Sequence, residues 1–120
     1  MGAKHKPVAP YLIQEQMEKL INEYNNTTEK NIVKKLAKFH IDFEAIHPFI
    51  DGNGRTGRLI VNFELMKYGY PPIDIKYTDR KAYYDAFDDY HEKRNISTME
   101  NMFAEYINER LDKYLSIISN

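Results

Sequence analysis

The sequence predicts an all-α fold, a compact core of about five helices in a single domain over residues 1–120, and three observations lead to it. Apolar residues recur every three or four positions through most of the chain, the period of a helix with one face turned to a core. The periodic segments are separated by residues that end or cap helices: Asn25-Asn26-Thr27-Thr28, Gly69 with Pro71-Pro72, and Arg94-Asn95. The one stretch with two-residue alternation, residues 73–77, is too isolated to build a sheet and reads as a short strand or an extended linker.

Taken in order, residues 1–10 carry Pro7, Pro10, two lysines and His5 without a period, and form an extended lead-in arm. The first helical pattern has Leu12, Ile13, Met17, Leu20, Ile21 and Tyr24 on one face and Gln14, Glu15, Glu18 and Lys19 on the other. Residues 25–28 end it and offer caps to the next. The second pattern, Ile32, Val33, Leu36, Ala37, Phe39, His40, Phe43 and Ile46, is more apolar and is expected to cross the middle of the core. His40 lies on or beside that stripe, where a hydrogen-bonded core histidine is favoured over a pocket residue.

The third helix is expected from about residue 55 to residue 68, with Leu59, Ile60, Phe63 and Met66 at helical intervals, and stops at Gly69. Thr78 or Asp79 caps a fourth, containing Tyr83, Ala86, Phe87 and Tyr90. Ser97 and Glu100 fit a capping box for the last helix. Its apolar positions run through Met99, Met102, Phe103, Tyr106, Ile107, Leu111, Tyr114, Leu115 and Ile118, amphipathic almost to the C-terminus.

Composition narrows the function. One hundred and twenty residues allow one core, not separate cofactor and substrate domains. A formal net charge of −1 gives no support for broad binding to nucleic acid or anionic membrane. The absence of cysteine excludes disulfides, thiolate metal sites and cysteine nucleophiles, and fits a cytoplasmic setting. No apolar run approaches the roughly 20 residues of a membrane span.

The informative stretch is residues 46–58, Ile-His-Pro-Phe-Ile-Asp-Gly-Asn-Gly-Arg-Thr-Gly-Arg. Arg55 and Arg58 fall in or beside the first turn of the third helix, where the dipole favours acidic residues. A ligand anion resolves the anomaly: free backbone N–H groups, glycines that admit a ligand and two guanidinium forks make a polyphosphate cradle. Gly52, Gly54 and Gly57 also satisfy G-x-G-x-x-G, and Asp74 follows Gly54 by twenty positions, as in dinucleotide-binding folds. The preceding segment has helical period and no βαβ unit is visible, so that reading is set aside. Gly-Lys-Ser/Thr of a P-loop is missing as well. A tight interhelical turn explains the glycines but not His47 and Asp51 beside them.

Phosphate-transfer chemistry needs a base near the attacking hydroxyl, a divalent metal and donors aimed at the oxygens that gain charge. His47 is the side-chain type that exchanges protons near neutral pH. Asp51 offers one hard oxygen ligand, as Mg²⁺ usually takes from a protein, with phosphates and water completing its shell. The Gly52-Asn53-Gly54 backbone and the Asn53 side chain supply donors.

His47-Pro48-Phe49-Ile50-Asp51-Gly52-Asn53-Gly54-Arg55-Thr56-Gly57-Arg58 resembles the signature H-x-F-x-D/E-G-N-G-R-x-x-R of the Fic (filamentation induced by cAMP) family, with every fixed position filled. The proline-rich lead-in, residues 40–46 and Gly69-Tyr70-Pro71-Pro72 extend the likeness over roughly the whole chain. The resemblance implies an all-helical fold and transfer of AMP from ATP to a Ser, Thr or Tyr hydroxyl of a target protein, with release of pyrophosphate. It implies His47 as the base, Asp51 as the Mg²⁺ ligand and Phe49 as an apolar anchor of the loop. Asn53 and the backbone of Gly52 and Gly54 would stabilise the α-phosphate, Arg55 and Arg58 would hold the β- and γ-phosphates, and Tyr83 and Tyr84 would line the nucleotide pocket. The kinase-like Doc branch has Lys where Gly54 stands, which favours AMP transfer here.

The chain departs from the family pattern in three places. The upstream β-hairpin flap that docks targets would end where this chain begins. The inhibitory motif Ser/Thr-x-x-x-Glu-Gly/Asn is absent, so Arg58 is expected to be free unless a separate partner supplies a glutamate. His91 lies near a position where relatives often have Asn. Two rival readings remain: a non-catalytic nucleotide- or partner-binding module, and a transferase using another nucleotide donor.

Overall fold

Around one central helix the chain winds the other four. A computed structural model describes residues 8–119, and its helices are α1 (Ile13–Asn26), α2 (Ile32–Ile46), α3 (Asn53–Lys67), α4 (Arg80–Lys93) and α5 (Ser97–Ser119). Short 3₁₀ turns at Pro10–Leu12 and Tyr77–Asp79 lead into α1 and α4. Among the described residues there is no strand, so the fold is all-α as the periodicity predicts. None of these helices is long and apolar enough to cross a membrane. The first seven residues of the lead-in arm lie outside the described residues; Val8 packs against the cluster of Leu20, Phe39, Phe43 and Ile46.

α2 packs on α1, α3 and α5, and α4 packs on α5. Its expected apolar stripe is buried at Leu36, Ala37, Phe39, His40, Phe43 and Ile46, joined by Ile41 and, against expectation, by Glu44. Asn31 caps it, its side chain accepting from the N–H groups of Val33 (3.1 Å) and Lys34 (3.3 Å), whereas residues 25–28 only close α1. In α4 the four expected apolar positions, Tyr83, Ala86, Phe87 and Tyr90, are all buried. Asp79 precedes α4 but makes no side-chain cap, because its carboxylate accepts from the Tyr106 hydroxyl.

Two expectations are corrected at α3. It begins at Asn53, two residues earlier than the pattern suggested. Its buried face is Asn53, Gly57, Val61 and Leu65, while Leu59, Phe63 and Met66 are exposed. The reason is close approach to α2. A Cβ on Gly57 would stand 2.9 Å from Glu44 Oε1, 3.2 Å from Phe43 Cδ1 and 3.3 Å from His40 Nδ1. The helices therefore meet where one has no side chain, which fixes the rotation of α3 and sends its larger apolar residues outward.

After α3, backbone hydrogen bonds from Gly69 to Met66 and from Tyr70 to Leu65 close the helix end. Residues 73–76 are an extended linker leading into the 3₁₀ turn at Tyr77, and Asn62 bonds both backbone groups of Ile73, at 2.8 and 2.9 Å, in place of a strand partner. The capping box at α5 is not made. Asn95 takes the Ser97 N–H at 3.1 Å, and the Glu100 carboxylate accepts from Asn31. α5 also outruns the core: Met99, Phe103, Tyr106 and Ile107 are buried, but Leu111, Tyr114, Leu115 and Ile118 are exposed.

Candidate active site

The loop between α2 and α3 turns on two left-handed residues. His47 caps α2 at φ 55°, ψ 59°, its N–H bonded to Phe43 O at 3.2 Å, and Gly52 caps α3 at φ 80°. Glycine adopts that conformation freely, but a histidine there is held at a cost of about 1–2 kcal/mol. Asn53 closes the loop: its Oδ1 accepts from Phe49 N–H at 2.8 Å and its Nδ2 donates to Phe49 O at 2.7 Å. This corrects one expected role: the Phe49 ring is more than half exposed, so the loop is anchored by the Phe49 backbone, which the Asn53 amide holds while that residue also lines the cleft.

The N-terminus of α3 has no side-chain cap at Gly52 and no acidic residue in its first turn. Arg55 and Arg58 fold back over that turn. A Cβ on Gly52 would stand 2.9 Å from Arg55 Nη2, and one on Gly54 would stand 3.0 Å from Arg58 Nη1. The glycines thus make room for the guanidinium groups at the positive end of the helix, where both charges reinforce the dipole toward an anion.

His47, Asp51, Gly52, Asn53, Gly54, Arg55, Arg58, Tyr83 and Tyr84 all line one cleft of about 350 Å³, together with Glu44 and Ile50. A larger cleft of about 620 Å³ between α1 and α2 has no comparable chemistry. Its Lys34 and Lys38 are already paired, with Glu29 at 3.5 Å and Asp42 at 2.7 Å.

Within the cleft, Asp51 is exposed. Its Oδ1 accepts from Gly52 N–H at 2.8 Å, and Oδ2 lies 4.0 Å from Arg55 Nη2. No group of three or more metal-ligating side chains occurs among the described residues. A lone carboxylate with a free oxygen fits Mg²⁺ delivered with polyphosphate, not a resident metal held by the protein.

The inner wall is buried. His40 is wholly buried as a hydrogen-bonded core histidine, its Nε2 paired with the Tyr83 hydroxyl. Burial, helped by the Arg58 charge, pushes that imidazole down to about 3, so it is neutral. Burial pushes the Tyr83 hydroxyl above its ordinary value, with Arg58 pulling the other way. Glu44, also buried, has its carboxyl pushed up by burial, with Arg58 and His47 opposing. Glu44 Oε1, His40 Nδ1 and His47 Nδ1 are buried without hydrogen-bond partners. Sequence reasoning passed over Glu44; a charged residue at a core-facing position of the α2 stripe was the signal for it. Glu44 lines the same cleft as Arg58, whose charge opposes the upward push on the Glu44 carboxyl.

Comparison with known proteins agrees with this geometry. Residues 1–65 match the model of the Fic/DOC family. A probable protein adenylyltransferase of Aquifex aeolicus is 38% identical over 71% of this chain and 26% of its own length. The protein adenylyltransferase Fic of Nematostella vectensis is 40% identical over 68% of this chain and 19% of its own. Among solved structures, Fic-1 of C. elegans superposes with a TM-score of 0.82 at 25% identity, over 94% of this chain and 34% of that one. A Fic domain containing signaling protein from Bacteroides thetaiotaomicron gives 0.79 at 28% identity, over 86% of this chain and 45% of that one. The chain spans about a quarter or less of the length of these curated relatives. With a signature filled at every fixed position, a cleft that gathers its polar residues and a family match over more than half its length, the chain belongs to the Fic/DOC family.

Proposed function

We propose that this chain transfers AMP from ATP to a Ser, Thr or Tyr hydroxyl of a target protein. The observation that carries the reading is the single cleft at the start of α3, where a histidine, a carboxylate, two arginines and an uncapped helix N-terminus converge. Its relatives are named protein adenylyltransferases, which supports the same chemistry here.

In this mechanism the acceptor oxygen attacks the α-phosphorus and the bond to the pyrophosphate oxygen breaks. The hydroxyl proton passes to His47; because Nδ1 is buried, Nε2 is the ring atom left to receive it. The free N–H groups around Gly54 meet the α-phosphate, where charge builds. Arg55 and Arg58 hold the β- and γ-phosphates and stabilise the departing pyrophosphate. Tyr83 and Tyr84 form the wall toward the nucleoside. Asn53 contributes as a positioning residue, stapling the loop through Phe49. Asp51 would hold Mg²⁺, which when bound to the phosphates neutralises part of their charge. Any glutamate from a partner that reached Arg58 would compete with ATP for that guanidinium.

The test is incubation of the protein and a cell lysate with ATP labelled at the α- or the γ-phosphate. Label from the α-position alone is expected to enter protein bands. No labelling from either position points to a module that binds without turnover, and labelling from the γ-position makes the chain a kinase. Competition by unlabelled UTP or GTP as strong as that by ATP would identify another donor.

A further inference from the structure

We propose that His40 is a positioning residue for Arg58, acting through the Tyr83 hydroxyl, so that a buried neutral histidine decides where the phosphate-binding guanidinium sits. This rests on the reading of Arg58 as a clamp for the β- and γ-phosphates.

The geometry begins with the His40 ring. It is wholly buried on α2 and wedged against Phe87 and Phe103, with ring centroids at 5.6 and 5.7 Å. Packing of that kind leaves one rotamer. A neutral imidazole has one donor and one acceptor nitrogen. Nδ1 lies beside the Gly57 backbone, near enough to favour a proton there though not aligned as a hydrogen bond. Nε2 is then the acceptor, and the Tyr83 hydroxyl donates to it. With its proton committed to His40, the Tyr83 oxygen presents its lone pairs in a fixed direction, within the cleft that Tyr83 lines together with Arg58, whose charge acts on that hydroxyl. Arg58 and His40 also line the same small cavity of about 10 Å³, closed by Val61, Ile73, Ile75 and Phe103. The arginine stem and the histidine are therefore packed into one wall, with the guanidinium emerging over Gly54.

An unguided phenol proton would rotate between donor and acceptor directions, and half of those settings oppose a guanidinium. His40 removes that freedom. Two neutral residues thus help to pre-organise the ion-binding group.

The test is calorimetric titration of the intact chain with ATP–Mg²⁺ and with AMP. Wild type is expected to prefer ATP, and Arg58→Ala to lose most of that preference. His40→Leu should lower the ATP/AMP affinity ratio about three- to tenfold, the worth of a hydrogen bond to a charged group held less well, while AMP affinity stays near wild type, and Tyr83→Phe should lower the ratio by a similar factor. His40→Gln, which keeps an acceptor for the Tyr83 hydroxyl, should retain most of the ratio. The double variant His40→Leu/Tyr83→Phe separates position from packing. Removing both polar partners should restore the thermal stability lost in His40→Leu, but not the ATP/AMP ratio. A wild-type ratio in His40→Leu, or a ratio that recovers with stability in the double variant, overturns the inference while the clamp reading stands. Equal ATP binding by wild type and Arg58→Ala removes the clamp reading, and this inference with it.

Discussion

The rim and the inner wall of the cleft come from the same loop and helix turn, yet they are held in opposite ways. At the rim, Asp51 and Arg55 have side chains 91% and 76% exposed and approach each other only to 4.0 Å. An ion pair so open to water contributes at most a few tenths of a kcal/mol, so a ligand can separate the two charges at little cost. On the inner wall, Asn53 is stapled to Phe49, and Arg58 lines the cleft beside Tyr83, which is itself fixed by buried His40. Three residues thus separate an arginine that is free to follow a ligand from one that is set in advance. Within the proposed mechanism the difference is useful: the wall defines where the phosphates lie, and the rim adapts to the metal and the leaving group.

His47 joins the two regions, with Nδ1 in the wall and the rest of the ring toward the cleft, and its removal should have the largest effect. His47→Ala is expected to lower transfer of α-label to protein by about 10²–10⁴-fold, the usual worth of a general base, while calorimetry finds ATP affinity within about twofold of wild type. Labelling by the variant at the wild-type rate would remove His47 from the mechanism, and a large loss of ATP affinity would make it part of the phosphate wall.

The second effect belongs to the wall and is one of pH. His40 goes from an ordinary value of 6.5 to about 3 on folding. Between these limits the unfolded chain binds a proton that the folded chain excludes. The sign follows: stability is full above about 6.5 and falls as pH drops toward 3, by about 1.4 kcal/mol per pH unit at most. Urea melts at pH 7, 5.5 and 4.5 should reveal this slope, and the same series on His40→Gln should be shallower by one proton. Parallel slopes would mean that His40 protonates freely, and the buried wall would be more open than its packing implies.

These wall contacts explain what was and was not legible in the sequence. α2 and α4 could be read from period alone, because Leu36, Phe43, Tyr83 and Phe87 point into the core as their spacing requires. The polar residues of the cleft were legible as a motif because they lie within twelve positions, apart from Glu44 and the two tyrosines. The face of α3 was not: Leu59, Phe63 and Met66 have the better helical pattern, but contact of Gly57 with α2 outweighs it. A missing side chain carries no hydropathy. That Asn53 holds the loop was not legible for a similar reason, since an amide that bonds both backbone groups of a residue four positions back has the same spelling as one that does not. The His40–Tyr83 pair, 43 positions apart, is a tertiary fact that no local pattern contains.

The smallest effect on stability, and the sharpest test of the contrast, is expected at the rim. Asp51→Asn keeps an oxygen that can accept the Gly52 N–H, now bonded at 2.8 Å, so the turn should survive. It loses the charge and with it the open pairing with Arg55. Stability should change by less than about 0.5 kcal/mol, as for other exposed pairs. Binding should respond differently. Without divalent metal, ATP affinity should hold or rise slightly, because a negative charge has left a site that receives phosphates. With Mg²⁺ present, the enhancement of ATP affinity seen in wild type should fall, since the one carboxylate with a free oxygen at this position is gone. Urea melts and paired calorimetric titrations with Mg²⁺ or EDTA measure both quantities. Equal enhancement in the two proteins would dismiss Asp51 as the metal ligand. A stability loss above about 1 kcal/mol would mean that Asp51 supports the loop as Asn53 does, and the division between an adaptable rim and a fixed wall would no longer hold.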